Sequence, residues 1–394
     1  MALAEQLAGW AAGLEPGEAD LALARRSLVD TVAVALAAAD DPVVALAGEL
    51  GRAGRWAAIA HVLDFDDLHM ASTTHVSAVC VPAALACGGG AQAYLAGAGV
   101  MVRLGTALGW PHYARGWHAT CTAGAPGAAV AAVVALGGGA REVATAIALA
   151  VPAAGGVQRA FGTAAKSLQV GFAVDAGVRA ARLALSGASA DLSALDAWLA
   201  LVGGDPARLP STDGGEAVPG GLAVKVYPCC YALQRPNAAA RELRGDTGGD
   251  VERVVVRTPR DAVTPLIHDR PRTGLEGKFS LPYGVAAALL DEWPGFASFT
   301  DAAVRRPEAQ ALLARVVLEA EPGGEGLLAG DVTVTIEPSG GHARLELPPG
   351  APGRAPDEAE LAVKVADCAG ETAATVLALG WDEAPALLDE QLPR

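Results

Sequence analysis

Between Glu18 and Ala39 apolar residues recur every three or four positions (Leu21, Leu28, Val32, Leu36), and the run stops at Asp40-Asp41-Pro42. Proline disfavours the helical conformation of the residue before it, so this pattern predicts a helix with a defined end. The same spacing predicts helices near 76–87, 91–108, 124–136, 141–154, 169–186 and 191–202, divided by glycine clusters such as Gly88 to Gly90 and Gly137 to Gly139. No strand pattern interrupts them, and an all-helical domain is expected over residues 1–222. Residues 203–221 (GGDPARLPSTDGGEAVPGG) read as a loop or interdomain connection. Beyond it the period changes to two. VERVVVR (251–257) and DVTVTI (331–336) predict strands, 315–319 and 343–347 are candidate partners, and helices near 237–244 and 281–292 interleave with them. An α+β domain is therefore expected over 223–357, with residues 358–394 returning to helical spacing and completing the first domain. The expected fold class is mainly α with an α+β second domain.

Composition adds limits. A chain of 394 residues exceeds one compact core, which agrees with two domains. The uncharged stretch Thr122 to Ala140 contains Pro126 and the triple glycine, so it reads as a buried helix rather than a membrane span. No basic region precedes an apolar run at the N-terminus, and no secretory signal is expected. Six cysteines without a CxxC pair point to a reducing, cytoplasmic setting. The net charge of −15 argues against nucleic acid as a partner, but a local cationic site can still bind a small anion.

The basic residues carry more information. Lysine occurs only at 166, 225, 278 and 364; every other cation is arginine. Lysine is a compact charge whose pKa shifts on burial, which suits carboxylate binding and proton transfer. Lys166 is expected in an uncharged loop just before a helix, where an anion would also meet the helix N-terminus; the alternative is a solvated loop lysine. Five of the seven histidines (His61, His69, His75, His112, His118) fall in one region beside the acidic run Asp64-Phe65-Asp66-Asp67. A carboxylate beside an imidazole sets its tautomer, so the cluster suits acid–base chemistry. Metal-ligand spacings such as HExxH are absent, although separated ligands can converge in space, and taken singly each histidine reads better as a core or helix-end residue. There is no GxSxG elbow and no P-loop, and Gly97-Ala98-Gly99 lacks the strand–turn–helix setting of a dinucleotide site.

Six segments in order resemble the MmgE/PrpD family, which includes 2-methylcitrate dehydratase, cis-aconitate decarboxylase and an iminodisuccinate epimerase. They are HVLDFDDLH (61–69) with HVSAVCVPAALA (75–86), GWHATCTAGAPGAA (116–129), QRAFGTAAKSLQVG (158–171), KVYPCC (225–230) and KFSLPYGVAAALLD (278–291). The resemblance implies a large helical domain, a smaller α+β lid, a homodimer, a small carboxylate substrate, and neither metal nor organic cofactor. Carried over by motif, Asp64, His75, His118, Lys166, Lys225 and Tyr283 are the implied catalytic residues. Lys166 and Lys225 would bind substrate carboxylates, His75 and His118 would form the acid–base pair, Asp64 would orient or act as base, and Tyr283 would donate.

The sequence departs from the family pattern at Leu68, where threonine is usual, and at Gln169 and Gln234, where histidine is usual. Trp56-Ala57 replaces the usual Asn-Gly. Leu68, Gln169 and Gln234 are carried as substrate-binding positions. The first reading is a lyase, a dehydratase like 2-methylcitrate dehydratase with altered specificity. A decarboxylase or epimerase of a related di- or tricarboxylate is the second, and a catalytically inactive ligand-binding member is the third.

Overall fold

A computed structural model describes residues 1–245, 251–324 and 326–392. The chain divides into two compact units, one of Met1–Arg159, Ala164–Leu222 and Asp357–Arg394, the other of Ala160–Thr163 and Ala223–Pro356.

The first unit is helical: α1 (Leu3–Ala12), α2 (Glu18–Ala37), α3 (Arg52–Val62), α4 (Ser77–Ala86), α5 (Ala91–Ala114), α6 (Ala119–Ala135), α7 (Ala140–Ala150), α8 (Ala165–Leu185) and α9 (Ala194–Leu201). Helix α6 is buried from Ala119 to Val133 and packs against α4, α5, α7 and α8. Alanine and glycine let these backbones approach closely. A Cβ on Gly97 of α5 would lie 2.7 Å from the Gly127 carbonyl of α6, and one on Gly177 of α8 2.5 Å from the Ala125 carbonyl. Helices α1 and α3 were not expected from the sequence pattern. Two others begin earlier than the pattern indicates: α6 at Ala119 rather than 124, and α8 at Ala165 rather than 169. Lys166 therefore lies in the first turn of α8 and not in a loop. The Ala164-Ala165 pair, with high helix propensity and no glycine or proline to stop it, extends the helix back to that point.

The second unit carries four strands, β1 (Arg253–Pro259), β2 (Val316–Glu321), β3 (Val332–Glu337) and β4 (His342–Leu345), in the order β2-β1-β3-β4. β1 runs parallel to β2 and antiparallel to β3, with Val254 opposite both Val316 and Ile336. Helices α10 (Gln234–Glu242), α11 (Leu281–Leu290) and α12 (Pro307–Leu313) complete its core, with Val254, Val256, Val334 and Ile336 facing inward from the sheet. The fold class is thus mainly helical with an α+β part.

Three helices then rejoin the first unit: α13 (Glu358–Ala369), α14 (Ala373–Ala378) and α15 (Ala384–Gln391). Asp357 and Glu360 form a reciprocal capping box that starts α13, which packs along α2. Among the described residues no helix is long and apolar enough to cross a membrane.

Candidate active site

The site grows from the end of α3. His61 occupies the last turn of that helix, fully buried, and the chain then turns through Asp64 in a left-handed conformation (φ 53°). Such a conformation is uncommon outside glycine, and here it directs a short carboxylate inward. A small loop follows, closed by backbone hydrogen bonds between His69 and Thr74 (2.8 and 3.3 Å). It delivers His75, whose N–H donates to Thr120 Oγ1 (3.0 Å). His118 caps the start of α6, and Lys166 enters from α8.

These side chains meet inside the first unit. Lys166 Nζ lies 2.7 Å from His61 Nε2 and 3.2 Å from Asp64 Oδ1. The ammonium can only donate, so His61 carries its hydrogen on Nδ1 and donates it to Asp66 Oδ2 (2.7 Å). The same carboxylate oxygen is 3.1 Å from His75 Nδ1, while His75 Nε2 is 3.7 Å from Asp64 Oδ1. The His61 ring meets His75 edge-on (4.5 Å between centroids) and stacks with His118 (5.6 Å). His118 Nδ1 lies 2.7 Å from Gln169 Nε2.

Burial and charge set the protonation states. Burial pushes the Asp66 carboxyl up, but His61 and His75 together outweigh it and hold it well below the usual carboxylate range. Burial lowers the pKa of His61 despite Asp66, and lowers that of His118 well below the usual imidazole value, with Lys166 and the two other imidazoles adding to the effect. His61, Asp66 and His75 are the residue types of a divalent-metal site, with ligand atoms within 4.8 Å of one another. The 2.7 Å contact between His61 and Asp66 is, however, the length of a hydrogen bond closed by a proton.

Sequence profiles of two domains match this chain: the MmgE/PrpD N-terminal domain over residues 52–200 and the MmgE/PrpD C-terminal domain over residues 227–380. The chain belongs to the MmgE/PrpD family. That family is generally enzymatic and of lyase type. No curated protein gives a significant match.

In this MmgE/PrpD protein Asp64, His75, His118, Lys166 and Gln169 lie together, and Leu68 is buried in the loop between Asp64 and His75. Lys225, Gln234 and Tyr283 belong to the second unit. There Gln234 Oε1 accepts from the N–H groups of Val226 and Tyr227 (3.2 and 3.1 Å), and its Nε2 donates to the Tyr227 carbonyl (2.9 Å), which clamps the 225–230 segment. Lys225 is fully buried. The Tyr283 hydroxyl donates to the Ser298 carbonyl, and burial raises its pKa.

Two of the five clustered histidines have structural partners. His69 bonds Ser72 Oγ (2.7 Å) and the Pro219 carbonyl (2.8 Å), which ties the loop to the 203–221 connection. His112 bonds the Val202 carbonyl (3.0 Å) and Thr122 Oγ1 (3.1 Å) and stacks on Trp117. Conversely, His61 and Asp66 join the site although the motif comparison did not nominate them. Their signal was present: both belong to the cluster of histidines beside the acidic run 64–67. Lys364 was also passed over. From α13 it donates to the Phe65 carbonyl (2.8 Å), pairs with Asp30 (2.6 Å) and lies over the Phe65 ring, thereby fixing the loop between Asp64 and Asp66. All four lysines of the chain are at most 7% exposed, a placement lysine rarely adopts without a partner or a task.

Proposed function

We propose that this protein is a lyase acting on a small polycarboxylate, and that it eliminates water from a hydroxy acid. The observation that carries the reading is the buried Lys166 ammonium, held by His61 and Asp64 beside His75 and His118. Removing a proton from carbon next to a carboxylate builds negative charge on the carboxylate oxygens, and a fixed cation in a dry site stabilises that charge as it develops. His75 is the proposed base. Asp66, close to its Nδ1, favours a proton there and leaves Nε2 basic. Decarboxylation or epimerisation of a related acid would pass through the same enolate, so the second reading shares this site. The change at Gln169, which lies against His118, favours a substrate other than 2-methylcitrate.

Incubation in D2O with 2-methylcitrate, citrate, cis-aconitate, itaconate and aspartate-derived diacids, followed by mass spectrometry, tests the proposal. Loss of water in one compound supports the dehydratase, loss of carbon dioxide or deuterium uptake alone supports the second reading, and no change in any compound counts against both. With a substrate found, His75→Ala is expected to lower kcat about 10²- to 10⁴-fold, the range for loss of a general base. An unchanged rate in His118→Ala or Lys166→Ala would refute the site assignment.

A further inference from the structure

Gln169 has its amide orientation fixed by the main chain. The Val157 N–H donates to Gln169 Oε1 (3.0 Å), and the Val157 carbonyl accepts from Nε2 (3.3 Å). A backbone N–H only donates and a carbonyl only accepts, so the amide cannot be turned over. Its Nε2 then points a hydrogen at His118 Nδ1, 2.7 Å away. A nitrogen that accepts carries no hydrogen, and in a neutral imidazole the hydrogen must sit on the other nitrogen. Cys121 Sγ lies 3.3 Å from the same Nδ1, and burial keeps it a thiol, which is compatible with a bare Nδ1 but does not by itself choose the tautomer. The surrounding charges agree, because burial and the nearby Lys166 both disfavour an imidazolium at His118.

We propose that Gln169 is a positioning residue that locks His118 as a neutral imidazole with its hydrogen on Nε2, so that His118 is a hydrogen-bond donor to the developing enolate oxygen rather than the base. The catalytic half of this statement rests on the function proposed above; the tautomer half does not. Glutamine at 169 can donate to Nδ1 but cannot exchange a proton with it. A titratable side chain there could, so glutamine fixes one role for His118 where two would otherwise be open. Neutral imidazole suits such a role because it polarises an oxygen without transferring a full charge.

The full-length chain labelled with ¹⁵N-histidine tests the lock without a substrate. The His118 ring signals, assigned by their loss in His118→Gln, are expected to show a protonated Nε2 and a bare Nδ1 at neutral pH. A bare Nε2, or an imidazolium, would overturn the proposal whatever the enzyme does. Gln169→Glu keeps size and shape but offers Nδ1 only an acceptor, so it should move the hydrogen to Nδ1. With a substrate found, kcat should fall about 10²-fold with KM little changed, the effect of losing one preorganised donor. Gln169→Met, which neither donates nor accepts strongly, should lose less than Gln169→Glu. A tautomer flip that leaves kcat intact would overturn the catalytic role, and failure of every carboxylate tested would count against the proposed function while the NMR result still decides the tautomer.

Discussion

Asp66 and Asp67 are adjacent and both wholly buried, yet their carboxyls move in opposite directions. Two imidazoles face Asp66 and keep it ionised. Asp67 meets the hydroxyl and N–H of Ser77, which continue through Tyr94 to Ser27, and burial raises its pKa to about 7. In the unfolded chain Asp67 ionises near 4, so between about pH 4 and 7 the folded protein holds a proton that the unfolded one has released. Its contribution to stability is full below that window and lost as pH rises through it, with each pKa unit worth about 1.4 kcal/mol. Asp67→Asn should therefore raise the melting temperature relative to wild type increasingly from pH 5 to pH 8; a difference that stays constant with pH would contradict it. Buried His61 and His118 act in the opposite sense, their stability being present above about pH 6.5 and lost as pH falls towards their lowered folded values. At this scale the sequence revealed which titratable residues sit near one another. It could not reveal protonation or tautomer, because those depend on partners such as Val157 and Lys166 that lie far away along the chain.

Helix α3 shows what local pattern cannot supply. The N–H groups of Gly51, just ahead of it, and Gly54, in its first turn, donate to Asp175 of α8 (2.8 and 2.9 Å), so its N-terminal cap comes from one residue more than 120 positions distant. Asp175→Ala should cost about 0.5–2 kcal/mol, the usual range for a lost cap, measurable by urea unfolding. The two helices also touch through glycine: a Cβ on Gly171 would stand 2.7 Å from the Gly54 carbonyl and 2.5 Å from Leu50 Cδ1. Gly171→Ala should destabilise by about 1–3 kcal/mol through overpacking, despite alanine's better helix propensity. Stability equal to or above wild type would show that α3 and α8 can separate at little cost. The strands, by contrast, were legible: the alternation in VERVVVR and DVTVTI puts β1 and β3 close to where they are observed, because one face of each lies against helices.

On the scale of the whole molecule, helical spacing after residue 357 was legible, but what those helices hold was not. The answer lies in Lys364, which is 299 positions from the carbonyl it binds at Phe65. Lys364→Met should leave Asp30 buried beside an apolar chain and cost about 3–5 kcal/mol, the range for breaking a buried pair; a much smaller loss, by denaturant titration, would mean the ion pair is replaceable. The capping box at Asp357 and the bond from Arg55 to the Leu392 carbonyl (2.7 Å) anchor the same segment at both ends.

The return of α13 has a consequence for how this chain can be inherited. Its two sequence domains meet between residues 200 and 227, an inviting point for genetic exchange. A crossover there, however, would bring in a foreign α13 and with it a foreign residue beneath the Asp64–Asp66 loop. Chimaeras joined at that junction are expected to work only when the incoming half carries a lysine that fits the resident Asp30 and Phe65, so the two halves must be selected as a pair.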